Sequence, residues 1–349
     1  MLEILTEQLA QSQSLTAEQV ADAVAQLINE PVPADVKADF LTALANKGET
    51  TEEIAAFACE LRAKSIKPPL DLETRSREIL DVCGTGGDRL NTFNISTSVA
   101  LVCAAAGITV AKHGNRAITS QAGSADVLEA LGIPIDLSPD QAAAALRDHH
   151  FAFFFAPEYH PAFRHIAPAR KLCADRGQRT IFNFLGPLLN PAQPTAQLVG
   201  VPRPELCEPM ARVLQSLNVR RGMVVSGRVG NAHLDELSTL GENTIAEFYH
   251  DHGFAVSQLS PDQFPLPLAT LADLTGGDRN ANARIVGDIL SRAERGPKRG
   301  AVLLNAAAAL FVAGKTRSLI AGWDLAVDVI DSGKAEAKLK ELQAAEEPV

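Results

Sequence analysis

The stretch of sequence that decides the fold runs from residue 81 to residue 116 and reads DVCGTGGDRLNTFNISTSVALVCAAAGITVAKHGNR. An apolar run ends in a glycine turn, after which come a hydroxyl- and amide-rich segment, an apolar helix-like stretch and a basic loop. Glycines let backbone N–H groups approach an anion, and a helix start adds unpaired donors and a favourable dipole. The order strand, glycine turn, helix, strand and basic loop predicts a site for a ligand that carries several phosphates.

The spacing of the glycines excludes two common phosphate-binding motifs. Counting G-x-G-x-x-G from Gly84 places Arg89 where the last glycine of a dinucleotide-binding fingerprint belongs. No Gly-Lys-Ser/Thr follows the glycines, as a P-loop requires. A glycine turn before a helix also occurs as a plain strand–helix connection, so the prediction depends on the hydroxyl groups and the basic loop nearby. Arg89 itself is expected either to point to solvent, which is preferred, or to lie near a diphosphate.

Length, composition and charge limit the class of protein. The chain has 349 residues, 46% of them hydrophobic, which predicts two domains or one large α/β domain with an appendage. A net charge of −10 argues against a nucleic-acid binder, which needs clustered Lys and Arg. The N-terminal segment lacks the features of a signal peptide, and no window approaches the roughly 18 apolar residues of a membrane span. Five cysteines without a CxxC pair disfavour disulfides and zinc. These features predict a cytoplasmic protein without membrane or nucleic-acid partners.

The N-terminal part has helical signals. Thr16 with Gln19 and Thr50 with Glu53 have the spacing of capping boxes, in which each side chain bonds the other residue's backbone N–H. Apolar residues at helical spacing follow both boxes and also precede Gly48, which is expected to end a helix between them. These signals predict several short helices with apolar faces.

A domain boundary is expected near the proline pair Pro68-Pro69. The expected fold class is α/β, with a small all-helical N-terminal domain and a large domain whose central, mostly parallel sheet is flanked by helices. We assign residues 1–72 to the small domain and residues 73–349 to the large one. Helices from about residues 160–190 are expected to complete the small domain.

Strands and helices alternate from residue 78 onward. The predicted strands are residues 79–83, 108–114, 151–157, 196–201 and 221–227, and the predicted helices include residues 96–106, 124–131, 139–148 and 204–216. Such alternation predicts a parallel sheet, in which phosphate sites lie at the carboxyl ends of the strands. No strand is assigned to the polar, proline-containing region from Phe248 to Gly277, and helices are expected to close the chain.

Candidate site residues follow these strands. The loop at residues 112–124 holds two cations among hydroxyls and amides, which suits a phosphate monoester, although an ordinary polar loop would look similar. Asp235 and Glu236 follow the strand MVVSG, and adjacent carboxylates there suit Mg²⁺, which prefers carboxylates together with substrate phosphates. Acidic pairs at a protein surface are commoner, so the magnesium hypothesis depends on the phosphate site nearby.

The helical stretch after residue 159 contains a second group of candidates. Arg170 has the planar fork that binds a carboxylate through two hydrogen bonds. His160 and His165 are expected to be core or solvated residues unless they lie in a site. The histidines lack the spacing of a zinc site.

Several long motifs then resemble one family. GTGGD, NTFNIST, KHGNR, GSADVLEALG, FNFLGPLLNPA and LLNAAAAL stand in the order found in the anthranilate phosphoribosyltransferases, whose fold is similar to that of the nucleoside phosphorylases. The resemblance runs from about residue 78 to 201 and resumes at Asp235-Glu236 and at residues 303–310. It implies transfer of phosphoribose from 5-phosphoribosyl 1-diphosphate (PRPP) to the amine of anthranilate, the second step of tryptophan biosynthesis from chorismate. It also implies Mg²⁺ as cofactor and a homodimer formed through the helical domain.

The resemblance implies roles for individual residues. Those matched to PRPP binding are Gly84, Gly87, Asp88, Thr92, Asn94, Ile95, Ser96, Thr97, Lys112, His113, Gly114, Asn115, Arg116, Ala117, Ile118, Thr119, Ser120 and Ser124. Those matched to anthranilate binding are Gly84, Asn115, Arg170, His113, His160 and Pro187. Those matched to the metal are Ser96, Asp235 and Glu236. No residue is assigned as a nucleophile or a general base.

Two departures from the family pattern leave alternatives open. The usual Ser-Lys-Ser-Gly run before GSAD is Thr119-Ser120-Gln121-Ala122-Gly123, which lacks one cation and one hydroxyl. The usual His-His-Pro begins with Tyr159, which leaves open a different aminobenzoate substrate. A pyrimidine nucleoside phosphorylase of the same fold is the alternative enzyme, and a non-catalytic nucleic-acid binder is the alternative from another class.

Overall fold

The N-terminal part of the protein consists of short helices joined by tight connections. A computed structural model describes residues 1–117, 121–249 and 252–345. The first helices are α1 (Leu2–Ala10), α2 (Ala17–Leu27), α3 (Ala34–Lys47) and α4 (Thr51–Ala63). Both predicted capping boxes, at Thr16 and at Thr50, are confirmed. Helix α3 ends at Gly48, whose φ of 87° lies in the left-handed region that suits glycine.

Strands and helices alternate after α5 (Leu72–Ser76). The strands are β1 (Ile79–Gly84), β2 (Thr109–Gly114), β3 (Phe151–Phe155), β4 (Ala196–Gly200), β5 (Arg221–Val229), β6 (Ala232–Leu234), β7 (Asn243–Tyr249) and β8 (His252–Leu259). The helices are α6 (Ile95–Ala105), α7 (Ser124–Ala130), α8 (Pro139–His149), α9 (Ala156–Tyr159), α10 (Ala167–Asp175), α11 (Phe182–Leu185), α12 (Cys207–Ser216), α13 (Arg279–Leu290), α14 (Pro297–Val312), α15 (Leu319–Asp331) and α16 (Lys334–Ala344). Short 3₁₀ turns occupy Pro161–His165, Gly186–Leu188, Pro204–Leu206, Pro261–Gln263 and Leu271–Leu274.

The strands form one mostly parallel sheet, which confirms the predicted fold class. Its order is β3-β2-β1-β4-β5-β7-β8, and β6 pairs with β5 beside this path. Strands β3, β2, β1, β4 and β5 pair in parallel, whereas β6, β7 and β8 are antiparallel. The carboxyl ends of β1, β2 and β4 therefore meet at the same edge of the sheet.

Strands β7 and β8 show where the sequence pattern was insufficient. The region from residue 248 to 277 received no strand, yet it contains all of β8. Of the β8 side chains described, only Leu259 is buried, because β8 is the edge of the sheet. Main-chain pairing with β7 holds it in place, and because only one of its described side chains is buried, the strand shows no alternation of apolar and polar residues to detect.

The sheet packs on both faces. Val82 and Leu198 belong to the core that contains α6 and α14. Val199 belongs to a second core, which includes Phe40 of α3 and Cys173 of α10. The stretch after residue 160, predicted helical, is divided into α10, α11 and 3₁₀ turns because its prolines interrupt the hydrogen-bond ladder. In the described part of the chain, no helix is both long enough and apolar enough to cross a membrane.

The Glu53 carboxylate is a buried anchor of the helical part. It accepts hydrogen bonds from Lys47 Nζ at 2.7 Å, from the Thr50 N–H at 2.8 Å and from the Leu15 N–H at 2.9 Å. The side chains of Lys47 and Glu53 are 4% and 1% exposed. Removing the carboxylate would leave a buried ammonium group without its counter-charge.

We expect Glu53→Ala to lower the free energy of unfolding by about 3–5 kcal/mol, as for other buried ion pairs that lose one partner. Urea denaturation followed by circular dichroism measures the change. Glu52→Ala is the matched control, because Glu52 is exposed in the same first turn and its loss should cost about 0.5 kcal/mol or less. Equal stability of the two variants would contradict the anchoring role of Glu53.

Candidate active site

A cavity of about 630 Å³ lies at the carboxyl ends of β1 and β2, beside the start of α6. Its lining residues are 83–89, 91–97, 112–117, 122–124, 235 and 236. The cavity therefore brings together the glycine turn, the hydroxyl-rich helix start, the basic loop and the acidic pair. Ile118, Thr119 and Ser120 lie outside the described residues. Arg170, His160 and Pro187 do not line this cavity.

Two glycines, at the ends of β1 and β4, allow Asp235 of the acidic pair to pack directly against the backbone of these strands. A Cβ at Gly84 would lie 2.1 Å from Asp235 Oδ2, and one at Gly200 would lie 1.6 Å from the Asp235 carbonyl oxygen. The Gly86 N–H donates to Asp235 Oδ2 at 2.7 Å. Asp235 is therefore seated directly on the ends of β1 and β4, a position that any side chain at Gly84 or Gly200 would block.

The segment after the acidic pair is held by hydrogen bonds from the side chain of Asn305. Its Nδ2 donates to the Leu237 carbonyl at 2.9 Å, and its Oδ1 accepts from the Leu237 N–H at 2.8 Å. Asn305 is fully buried in α14, within the LLNAAAAL motif. Sequence reasoning missed Asn305 and Gly200 as site residues, although a lone amide in an alanine-rich helix is a detectable signal.

The helix start has a similar support. Asn282 of α13 donates to Asn94 Oδ1 at 2.8 Å and accepts from the Gly277 N–H at 2.7 Å. Asn94 Nδ2 lies 3.3 Å from the Ala122 carbonyl and donates to it. Asn282, also missed from the sequence, thereby links the last helices to the hydroxyl-rich segment.

The acidic pair carries unusual electrostatics. Burial, followed by the charge of Asp88, raises the pKa of Asp235, and burial, followed by the charge of Asp235, raises the pKa of Glu236. The Ser96 N–H at the start of α6 partly opposes the shift at Glu236. Among the described residues, the charge of Lys112 opposes the shift at Glu236, but burial outweighs it.

The residues present fit Mg²⁺. In residues 1–117, 121–249 and 252–345, no three His, Cys, Asp or Glu side chains converge to hold a metal by themselves. Magnesium is usually bound through one or two carboxylates, retained waters and substrate phosphates, so two carboxylates beside a phosphate site are sufficient. Ser96, Asp235 and Glu236 would hold the ion, and its charge would relieve the crowding of Asp235 against Asp88.

The cations of the cavity differ in their partners. Lys112 is 1% exposed and donates to the Val82 carbonyl at 2.7 Å and to Ser96 Oγ at 3.5 Å. Arg116 pairs with Asp126 and Glu129. Arg89 is exposed and lines the cavity, with a φ of 61°, and its side chain has no hydrogen bond or ion pair within the described part of the chain.

A ladder of ring contacts connects the cavity to Arg170. The ring centroids of His113 and His160 are 5.2 Å apart, and those of His160 and Phe163 are 5.0 Å apart. Phe163 contacts Phe182 edge-on at 5.8 Å, and the Arg170 guanidinium lies 5.0 Å from the Phe182 ring centre. The ladder offers flat apolar surfaces with a cation at the far end, which suits an aromatic carboxylate.

Both histidines of the ladder are uncharged near neutral pH. Burial lowers the pKa of His113 to about 3 and that of His160 to about 4. Nδ1 of His113 lies 3.3 Å from the Gly186 carbonyl, which can only accept, so Nδ1 donates and Nε2 carries the lone pair. Nε2 of each histidine is buried without a hydrogen-bond partner among the described residues.

Tyr159, the departure from the family pattern, lies outside the ladder. It is 1% exposed, its ring packs edge-on against Phe154 at 5.0 Å, and its hydroxyl donates to the Leu137 carbonyl at 3.2 Å. It belongs to the core cluster around β3, whereas His160 turns toward His113. The substitution at residue 159 therefore affects the core and not the ladder.

The fold and the site together define a class of protein. The profile of the glycosyl transferase family, a/b domain, matches residues 76–336, and that of the glycosyl transferase family, helical bundle domain, matches residues 4–65. A parallel sheet with a phosphate-binding edge, joined to a helical bundle, is thus the architecture of a glycosyl transferase.

Similar proteins narrow this class. The anthranilate phosphoribosyltransferase of Lacticaseibacillus casei is 44% identical over 99% of this chain and 97% of its own. The crystal structure of the Thermus thermophilus enzyme is 40% identical, with a TM-score of 0.89 and coverage of 98% of both chains. The Saccharomyces cerevisiae enzyme in complex with PRPP and Mg is 28% identical, with a TM-score of 0.87 over 99% of this chain and 97% of its own. This chain belongs to the anthranilate phosphoribosyltransferase family.

The contact between Gly84 and Asp235 predicts that adding one methyl group at residue 84 weakens substrate binding. Gly84→Ala should displace the Asp235 carboxylate and weaken binding of PRPP with Mg²⁺ by about tenfold or more, because the site tolerates little misplacement. Isothermal titration calorimetry measures the affinity. Gly287→Ala is the control, since a Cβ at Gly287 in α13 meets nothing within 4 Å. Unchanged PRPP affinity in Gly84→Ala would contradict the packing described.

Proposed function

We propose that this chain transfers phosphoribose from PRPP to the amine of anthranilate, giving N-(5-phosphoribosyl)anthranilate and diphosphate. This is the second step of tryptophan biosynthesis from chorismate. The observation that carries the proposal is the junction at His113, where the phosphate cavity meets the ladder that ends at Arg170. Family membership supports the same reaction.

PRPP binding is assigned to the cavity residues. The glycine turn and the first turn of α6 present backbone N–H groups to the diphosphate, and the loop after β2 surrounds the 5′-phosphate. Lys112 is hydrogen-bonded to two neutral oxygens, and its charge also acts on the buried carboxylates of Asp81 and Glu236; we assign it to a phosphate of PRPP. When bound at Ser96, Asp235 and Glu236, Mg²⁺ supplies positive charge that stabilises the leaving diphosphate. Gly87, Thr92 and the other residues predicted to bind PRPP are included in this proposal.

Anthranilate binding is assigned to the ladder. Arg170 would pair with the substrate carboxylate through its fork, while the rings of His160 and Phe163 hold the aromatic ring. The amine then needs orientation toward C1′ of the ribose more than activation. The lone pair on Nε2 of His113 is compatible with a hydrogen bond from that amine, and we assign no residue as nucleophile or general base.

The organisation of the whole protein is part of the proposal. We place residues 1–72, with helices from about residues 160–190, in the small domain and residues 73–349 in the large one. A homodimer through the small domain is supported by the resemblance and by Met1 and Ile4, which are 57% and 65% exposed at its surface. Five free cysteines support a location in the reducing cytoplasm.

One assay tests the reaction and separates it from the nucleoside phosphorylase alternative. Anthranilate fluorescence should fall when PRPP and Mg²⁺ are added, stop falling with EDTA and resume when excess Mg²⁺ is restored. Parallel reactions with 3- and 4-aminobenzoate test the choice of amine. Cleavage of a pyrimidine nucleoside by free phosphate in EDTA, with no loss of anthranilate, would show the alternative enzyme instead.

Arg170 gives a substrate-specific prediction. Arg170→Ala should raise the KM for anthranilate about 10- to 100-fold, the effect of losing hydrogen bonds to a charged group, while the KM for PRPP stays unchanged. Steady-state kinetics with each substrate varied in turn measures both constants. Lys171→Ala, at the exposed next position of α10, is the matched control and should resemble the wild type. An Arg170→Ala enzyme with wild-type kinetics would remove Arg170 from the site.

A further inference from the structure

Two buried polar side chains, Asp81 and Gln197, form a hydrogen-bonded row on the sheet beneath the segment Gly186–Ala192. Asp81 of β1 and Gln197 of β4 are register partners, and they are 0% and 2% exposed. Neither side chain lines the PRPP cavity or belongs to the ring ladder. Burying an ionised carboxylate and an amide in a sheet is costly unless both are hydrogen-bonded, so the partners of the row are informative.

The row is bonded to the segment at two points. Gln197 Nε2 donates to the Pro187 carbonyl at 2.9 Å. Asn190 Nδ2 donates both to Asp81 Oδ2 at 2.8 Å and to the Ala111 carbonyl of β2 at 2.7 Å. The Asn190 Oδ1 accepts from the Ala192 N–H at 3.0 Å, which fixes the orientation of the amide.

A third contact extends the attachment to the ladder. Nδ1 of His113, also on β2, donates to the Gly186 carbonyl. Three neighbouring strands thus each bond the segment Gly186–Ala192. Strand β2 bonds it at Gly186 and Asn190, β1 bonds it at Asn190, and β4 bonds it at Pro187. The same strands end at the PRPP cavity, so the segment is held in fixed register with the phosphate site.

We infer that Asp81, Asn190 and Gln197 are positioning residues, which hold Gly186–Ala192 as a wall of the aromatic-substrate site at a set distance from PRPP. This inference rests on the proposed function. The three side chains contact neither substrate in this arrangement. They act through Pro187 and through the Gly186 carbonyl that orients His113, and so they affect how the amine is aimed at the ribose.

Gln197→Met is the decisive variant, because it keeps the length of the side chain and removes the amide that donates to Pro187. It should lower kcat/KM for anthranilate about tenfold, the effect expected for a misaligned reactant, with the KM for PRPP unchanged. Calorimetric affinity for PRPP with Mg²⁺, which does not depend on turnover, should also match the wild type. Discrimination against 3- and 4-aminobenzoate should fall.

Two variants of the Asp81–Asn190 pair give a conservative and a disruptive test. Asp81→Asn keeps an oxygen that can accept from Asn190 and should retain most of the activity. Asn190→Asp, almost the same shape, places a second carboxylate against Asp81 and the Ala111 carbonyl and should lower kcat/KM for anthranilate by about tenfold or more. Should Asn190→Asp fail to fold, Gln197→Met decides.

Thr195→Val is the matched control. Thr195 precedes the same strand and lies on the same face as Gln197, and its Oγ1 accepts from the Ile79 N–H at 2.9 Å, at the opposite end of the sheet from the site. Thr195→Val should reduce stability without changing kcat/KM for anthranilate. A Gln197→Met enzyme whose kcat/KM for anthranilate matches the wild type, or whose calorimetric affinity for PRPP falls by the same factor, overturns the inference. A wild-type enzyme that leaves anthranilate unchanged refutes the proposed function instead.

Discussion

The approach of Asp235 to the ends of β1 and β4 is the constraint on which the site depends. It requires that two neighbouring strands end in residues without a Cβ, and it places a carboxylate against the Gly86 N–H. Asn305, which lies on α14, bonds the backbone N–H and carbonyl of Leu237, the residue that follows the acidic pair. Because the strands, the glycine turn and a core helix all converge on this segment, the acidic pair cannot move independently of the fold.

The charge balance of the cavity explains why a divalent cation belongs to it. Asp88, Asp235 and Glu236 line the cavity together with Arg89, Lys112 and Arg116, so the acidic and basic side chains are equal in number. Arg116 is in addition paired with carboxylates outside the lining. A ligand with several phosphates would therefore bring excess negative charge to a balanced site. A magnesium ion held by the acidic pair would reduce that excess, and its charge would oppose the effect of burial that raises the pKa values of Asp235 and Glu236.

Local signals in the sequence predicted the elements that local interactions form. The capping boxes at Thr16 and Thr50 and the buried strand at residue 79 depend on neighbours within a few residues, and the structure contains all three. The strand β8 depends on pairing with β7, and the roles of Gly200 and Asn305 depend on contacts with segments far away in the chain. Such contacts leave no periodicity, so the candidate site was predicted best where its residues lie together in sequence.

The neighbours Tyr159 and His160 show how one backbone step separates core from site. Tyr159 packs against Phe154 and bonds the Leu137 carbonyl, while His160 contacts the rings of His113 and Phe163. An aromatic residue is needed at 159 to fill the core, and its hydroxyl has a partner there, so the replacement of a histidine by tyrosine is absorbed without a change in the ladder. In the proposed assignment, the choice among aminobenzoates depends on the ladder and on its distance from the ribose. That distance is set by the strands, because His113 lies on β2 and the wall beside it is bonded to β1 and β4.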